Sequence, residues 1–309
     1  MRYGFKISGC FGDVLYSLPV LKYLSICHND KLDVETNYPI LFKNNPYVGV
    51  VYNPEENQIM PHEQIFYDCN GHNFEDVQKQ IRKMYLTDYW STHLGFILTP
   101  EEKTIEFYPD ELDMELPEGD YVVINPSKTW ECRTWDKYKW EELTEMILKL
   151  NIKVVMVGQD INYGGDDIKT SIEVINNNII NLVNKLSLSQ LWHLVNNSLV
   201  TITMNAGLLP FAGTTDANIL ELGGAINPAY RTPYRKGSQS YKHKFVGGSC
   251  KIFCQSDMKY NVMGDEKITR WNGYRSPGCY EKKPTYECHA SVNGAFNEVL
   301  EFYKKNIYE

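Results

Sequence analysis

Apolar and polar positions along this chain follow two rhythms. Short runs rich in β-branched and aromatic residues at 3–8, 31–36, 48–52 and 64–68 read as strands. Leu15, Leu18, Leu21 and Leu24 recur at helical spacing and predict an amphipathic helix over 14–25, after a turn of small residues at 9–13. Two more helices are expected at about 74–84 and 87–96. A second series opens at 121, with strands at 121–125, 154–157, 179–183, 199–203 and 218–222. Its helices are expected at 137–150, 187–197 and 206–213, with a terminal one at 291–306. Strands that alternate with helices argue for an α/β fold built on mostly parallel, doubly wound sheets.

Between the two series, residues 99–119 shift to proline and acidic side chains, among them Pro100, Glu101, Pro109, Asp110, Pro117 and Glu118, and read as a linker. A chain of 309 residues, at about 150 per domain, suggests two domains, each large enough to bury a core. The division falls into 1–115 and 116–309. Two Rossmann-like halves leave a cleft, and such clefts are where small molecules bind.

Composition narrows the function classes. Hydrophobic residues at 43% and charged residues at 23% are ordinary for a soluble globular chain and exclude wholesale disorder or a fibre. The 31 Lys and Arg against 39 Asp and Glu leave a net charge of −8. Such a chain is not built to coat nucleic acid or anionic membrane, although a local basic groove stays open to either. No apolar run reaches the length of a membrane span, and residues 1–6 lack a secretory core, so a cytoplasmic location is expected. In that reducing compartment the eight cysteines are expected as free thiols or metal ligands rather than disulfides.

Five places could carry chemistry. Asp13 follows Gly12 where the first strand hands over to a helix, at the sheet edge that faces a cleft in open α/β folds. It suits a general base taking a proton from an acceptor hydroxyl, or simply a helix N-cap. The loop after the 121–125 strand gathers Ser127, Lys128, Thr129 and Arg133, donors matched to a pyrophosphate. Its plain alternative is a solvated loop with Trp130 and Trp135 tucked against the core. Asn205, Gly207 and Leu208 open a short helix whose glycine lets backbone approach a phosphate, or only lets helix and strand pack closely. Arg231, Arg235, Lys236, Lys242 and Lys244 form a basic stretch, either a solvated face or a seat for an anionic substrate. Finally, Cys250, Cys254, Cys279 and Cys288 cluster late in the chain at a spacing that allows a tetrahedral thiolate site for iron or zinc, or four separate buried thiols. His289 beside them is a spare donor or a structural histidine.

The run Gly12-Asp13-Val14-Leu15 with Pro19 and Leu24 resembles the opening signature of glycosyltransferase family 9, the ADP-heptose:lipopolysaccharide heptosyltransferases. The runs NPSKTWECRTW at 125–135 and NKLSLSQLWHLVNNS at 184–198 are similar to the bacterial autotransporter heptosyltransferases, as are 212–242 and the cysteine-bearing ending at 248–288. The resemblance implies a GT-B fold, two Rossmann-like domains facing a cleft, with an acceptor half at 1–115 and a donor half at 116–309. It implies an inverting mechanism that uses no divalent metal. In it Asp13 is the base, Lys128 holds the donor diphosphate, and Cys250, Cys254, Cys279 and Cys288 bind one structural iron within a finger at 248–289. The implied donor is ADP-heptose, the acceptor a serine hydroxyl on an adhesin, and the assembly a ring-like homo-oligomer. Two departures stand out. Family members usually carry Asp-Ser/Thr-Gly followed by His where this chain has Asn205, Ala206, Gly207 and Pro210, which bears on the donor sugar. The adhesin-modifying enzymes carry an additional N-terminal barrel, and this chain is expected to lack it. The competing readings keep the chemistry on a lipopolysaccharide sugar or a modified DNA base, or make the chain a metal-stapled, non-catalytic binding protein.

Overall fold

A computed structural model of the chain describes residues 2–61, 65–69, 84–128, 131–160, 178–235, 242–254, 256, 269–271, 274–276, 279 and 286–308. The first half is built from β1 (Tyr3–Ile7), α1 (Phe11–His28), β2 (Leu32–Thr36), β3 (Val48–Tyr52), β4 (Ile65–Asp68) and α2 (Leu86–His93). Its sheet is parallel throughout, in the order β3-β2-β1-β4. Phe5 and Ile7 alternate inward from β1 and join a core with Val14, Leu15, Leu18 and Leu21 of α1, the face that the leucine spacing predicts.

The second half holds β5 (Tyr121–Asn125), α3 (Lys137–Leu148), β6 (Lys153–Met156), β7 (Ile179–Asn181), α4 (Leu188–Asn196), β8 (Val200–Thr203), α5 (Leu208–Ala212), β9 (Ile219–Leu222) and β10 (His243–Val246). These strands form one parallel sheet in the order β10-β9-β8-β5-β6-β7. Every residue of β5, β8 and β9 is buried, as expected of parallel strands covered on both faces. A short antiparallel hairpin, β11 (Thr269–Trp271) and β12 (Tyr274–Ser276), lies in the tail. The terminal helix α6 (Val292–Tyr308) follows. Val292, Ala295, Val299 and Phe302 of α6 lie at helical spacing and bury against α3, β9 and β10.

Most expected elements are present, with instructive differences. The helix expected at 74–84 falls almost wholly outside the described residues. Helix α1 starts at Phe11 rather than Val14, so Gly12 and Asp13 lie in its first turn. Strand β10 was not foreseen; it is an edge strand without a continuous apolar run. Residues 99–119 form neither helix nor strand, yet Ile105 and Phe107 are buried and Phe107 packs on Phe211, ring centroids 5.3 Å apart. The alternation Ile105, Glu106, Phe107 turns every second side chain of this extended run inward. Asp110 in the same run accepts from Lys43 Nζ at 2.8 Å and from Asn44 Nδ2 at 3.0 Å in the first half. On the other side it meets α4, its amide donating to Ser189 Oγ at 2.9 Å and its carbonyl lying 2.9 Å from His193 Nε2.

One core therefore runs through both halves, from Phe5 and Leu15 to Tyr121, Val123 and Phe211. A second core, with Val122, Ile124, Trp135 and Trp140, lies on the other face of the second sheet. Among the described residues no helix is long and apolar enough to cross a membrane.

Candidate active site

Each sheet has a point where its strand order reverses, and ligands of open α/β folds bind outside the carboxyl ends of the strands at such points. In the first sheet it lies between β1 and β4, and β1 leads into Gly9, Cys10 and Asp13. In the second it lies between β5 and β8; β5 leads into Ser127, Lys128 and Arg133, and β8 into Asn205 and Gly207. Topology thus gathers the candidate residues at two crevices, and contact between α1 and α5 brings the crevices together.

Asp13 occupies the third position of α1 and is half-buried. It is not the N-cap. Cys10 is, and Asp13 Oδ2 accepts the Cys10 amide at 3.2 Å, the reciprocal half of a capping box. Burial raises the Asp13 carboxyl above its ordinary value, while Arg231, the Cys10 amide and Arg133 pull it back. The carboxyl group of the first half therefore lies within electrostatic reach of two guanidinium groups of the second.

Arg133 closes a single 3-10 turn, Glu131–Arg133, and its Nη1 reaches both the carbonyl and the side-chain oxygen of Asn205 at 3.3 Å. Its guanidinium bridges the loops that leave β5 and β8. Burial pushes the Arg133 guanidinium down from its ordinary value, and the like charge of Arg231 adds to that. Arg231 follows the turn Pro228–Tyr230, and its carbonyl accepts the Tyr16 hydroxyl of α1, a second tie between the halves. Tyr16 stacks edge-on with Tyr85, whose hydroxyl accepts the Tyr234 amide at 3.3 Å.

Ser127 is half-buried, and its enclosed hydroxyl oxygen has no hydrogen-bond partner among the described residues. Lys128 beside it is half-buried, and Thr129 lies outside the described residues. Gly207 meets Phe11: an added Cβ would stand 2.9 Å from Phe11 Cδ1, so this glycine serves close packing of α1 against α5. Leu208 is buried in the core shared by the two halves. Of the basic stretch, Arg235 is buried and donates to the Thr215 carbonyl, Lys242 donates to the Asp216 carbonyl at 2.9 Å, Lys244 is exposed, and Lys236 lies outside the described residues.

Sequence reasoning missed Glu221, a buried carboxylate near the end of β9. It accepts the Thr232 hydroxyl at 3.1 Å and pairs with His243 Nε2 at 3.2 Å. A lone glutamate inside the apolar run Ile-Leu-Glu-Leu was the available signal, because a charge there needs a partner.

The four late cysteines lie in the tail, and Cys254 packs with Cys288. Cys254 is buried, and Cys250, Cys279 and Cys288 are half-buried. Burial pushes the Cys288 thiol up to about 12, and Cys254, Cys250 and Cys279 each add like-charge repulsion. Among the described residues no three His, Cys, Asp or Glu side chains already stand as a finished metal cage. His289 is structural: its Nε2–H donates to the Cys132 carbonyl at 3.0 Å and its ring stacks on Tyr286.

The fold is shared with several solved glycosyltransferases. The iron-containing dodecameric glycosyltransferase TibC from enterotoxigenic E. coli H10407 superposes with a TM-score of 0.68 at 16% identity, over 99% of this chain and 76% of that one. The E. coli ADP-heptose lipopolysaccharide heptosyltransferase II gives 0.58 at 12% identity, over 99% and 100% of the two chains. A glycosyl transferase family 9 protein from Veillonella parvula DSM 2008 gives 0.56 at 13% identity, over 97% of each. No curated protein matches the sequence. The model of glycosyltransferase family 9 (heptosyltransferase) matches residues 93–248, half of the chain, from the extended linker through the β5, β8 and β9 loops to the end of β10. With its crevices, its paired sheets and that match, the chain belongs to glycosyltransferase family 9, a family of heptosyltransferases.

Proposed function

We propose that this enzyme transfers a sugar, in the first instance heptose from ADP-heptose, to an acceptor hydroxyl with inversion at the anomeric carbon. One arrangement carries the reading: α1, which bears Asp13, packs on α5 of the second half, and this sets the Asp13 carboxyl within electrostatic reach of Arg231 and Arg133. Residues 1–115 present the acceptor and 116–309 hold the donor. Asp13 takes the proton of the acceptor hydroxyl as its oxygen attacks the anomeric carbon. The bond from that carbon to the diphosphate breaks, and its electron pair leaves on ADP. Arg133, Lys128 and Arg231 neutralise the departing charge, and Ser127 supplies a donor that has no other partner among the described residues. Charge fixed in place before the reaction is where most of such a rate enhancement arises.

The acceptor we favour is a protein serine, in line with the autotransporter-type motifs, with a lipopolysaccharide sugar as the competing arm of the test. Cys250, Cys254, Cys279 and Cys288 would hold one structural iron, zinc being the alternative. It would crosslink the tail and take no part in the transfer. TibC is described as iron-containing and dodecameric, and one TibC structure holds ADP-D-beta-D-heptose; these support the iron, a homo-oligomer and the donor here.

The test is mass spectrometry of transfer reactions supplied with several sugar nucleotides and with both acceptor classes. Asp13→Asn is expected to lower turnover about 10²–10⁴-fold, the usual worth of a general base. Transfer at the native rate by this variant overturns the assignment.

A further inference from the structure

Four consecutive residues of the second half, 231–234, are each held by a different part of the fold. Arg231 leaves the turn Pro228–Tyr230, and its amide and that of Thr232 both donate to the Pro228 carbonyl, at 2.9 and 2.7 Å. Its guanidinium folds back on the same turn, Nη1 donating to the Tyr230 carbonyl at 2.7 Å. The Arg231 carbonyl accepts the Tyr16 hydroxyl of α1. Thr232 donates its hydroxyl to Glu221 of β9 at 3.1 Å, and Glu221 pairs in turn with His243 of β10 at 3.2 Å. Pro233 packs so closely on Gly213, at the end of α5, that a Cβ there has no room. The Tyr234 amide donates to the Tyr85 hydroxyl at 3.3 Å, and the two rings meet edge-on 4.8 Å apart. Tyr16 is 3% exposed, and a phenol that deep needs a partner for its O–H, which here is a carbonyl of the opposite half. It follows Asp13 by three residues on one face of α1, so its hydrogen bond draws the Arg231 backbone alongside the helix that bears the carboxyl group.

We propose that Tyr16 and Thr232 are positioning residues whose two hydroxyls hold the Arg231 guanidinium ready for the donor diphosphate. The inference rests on the proposed ADP-linked donor. A long arginine side chain has many rotamers, and a cation that must be ordered as charge develops gives up part of its effect. Here the backbone on both sides of Arg231 is fixed in advance, so its charge stands in place before the diphosphate departs. Neither hydroxyl touches the donor. The Tyr16 hydroxyl is committed to the Arg231 carbonyl and the Thr232 hydroxyl to Glu221, so each acts only through the arginine between them. The first of these ties crosses between the halves, and a cation carried by the second half is thereby set by a residue of the first.

The test is calorimetry of ADP binding to the full-length chain and its variants. Tyr16→Phe keeps the ring and loses the hydroxyl, and is expected to weaken ADP binding about three- to tenfold, the worth of one hydrogen bond. Placed in an Arg231→Ala background, the same substitution is expected to change the affinity by less than about twofold, because the arginine it acts through is gone. Thr232→Val is expected to weaken ADP by a factor similar to that of Tyr16→Phe, and Thr232→Ser, which restores the hydroxyl, to recover native binding. A folded Tyr16→Phe or Thr232→Val chain that binds ADP as tightly as the native one overturns the proposal. So does an equal loss with and without Arg231, which is what a hydroxyl serving the fold alone would give, and so does native affinity in Arg231→Ala. Should Tyr16→Phe not fold, the Thr232 pair decides alone. Failure of ADP to bind the native chain overturns the donor reading and the proposal with it, whereas binding that ignores both hydroxyls overturns the positioning only.

Discussion

Two glycines face each other where α1 meets α5, and alanine at each should change stability in opposite directions. At Gly207 the backbone is helical, φ −57° and ψ −28°, so alanine suits the conformation and gains about 0.5–1 kcal/mol from the unfolded state. Its Cβ, however, would stand 2.9 Å from Phe11 Cδ1, where carbons prefer about 3.5–4.0 Å. The Phe11 ring cannot easily retreat, since Tyr38 and Phe211 pack against it at centroid distances of 5.7 and 5.9 Å. Overpacking of this kind costs about 1–3 kcal/mol, so the clash outweighs the backbone gain and Gly207→Ala is expected to destabilise by about 1 kcal/mol. At Gly12 the nearest atoms to an added Cβ are Gly207 Cα and Pro210 Cγ, both at 3.7 Å, an ordinary contact. Gly12→Ala should therefore stabilise by about 0.5–1 kcal/mol through the backbone alone. Urea unfolding of the two variants beside the native chain measures both signs. Because Phe11 lies two residues from Asp13, displacing it should also slow transfer by Gly207→Ala, and a misplacement of about 1 Å can cost 10²-fold. A Gly207→Ala protein as stable as the native one, or a destabilised Gly12→Ala, would refute the packing argument.

Asp13 itself links function to stability. Its carboxyl is raised in the folded state, so ionising it opposes folding: native stability is fully present below the unfolded value of 3.8 and declines as pH rises through the folded one. Asp13→Asn is therefore expected to melt above the native protein at pH 7 and to lose that advantage below pH 3.8, and calorimetric melting at both pH values checks it. The same shift places the acid limb of transfer activity above the ordinary carboxylate range, readable from a pH–rate profile. At Glu221, alanine leaves the half-buried Thr232 hydroxyl without its acceptor and removes the carboxylate beside His243, and should cost roughly 1 kcal/mol in urea unfolding. Glu221→Gln keeps one oxygen for Thr232 and should cost less; an alanine variant no weaker than the glutamine variant contradicts the pairing.

Much of the frame was legible because strands and helices announce themselves locally. The β-branched runs of β5 and β8 and the 3.6-residue rhythm of α1 and α6 need no distant partner to be recognised. The start of α1 was not legible. Gly12 is a poor helix former, and only the Cys10–Asp13 capping pair and the contact with Gly207 explain why the helix includes it. Residues 99–119 misled through composition, since their prolines and acids masked the two-residue alternation that buries Ile105 and Phe107. Asp13 and Arg133 could be singled out from strand ends alone. That Arg231 lies within electrostatic reach of Asp13, or that Cys132 packs with Cys254, depends on contacts across more than a hundred residues, for which a single sequence holds no periodic signal.

Asp110 gives the linker a mechanical role. Its carboxylate is held by Lys43 and Asn44 on one side, while its amide and carbonyl meet Ser189 and His193 on the other. A rotation of one half against the other must stretch one of these sets, so the segment works as a latch instead of a loose tether. The Lys43–Asp110 pair is well exposed, at 54% and 42%, and mobile ions weaken such pairs over a Debye length of about 8 Å at physiological ionic strength. Salt therefore weakens the Lys43 arm of the latch, while the hydrogen bonds to Asn44, Ser189 and His193 and the core shared by the two halves remain.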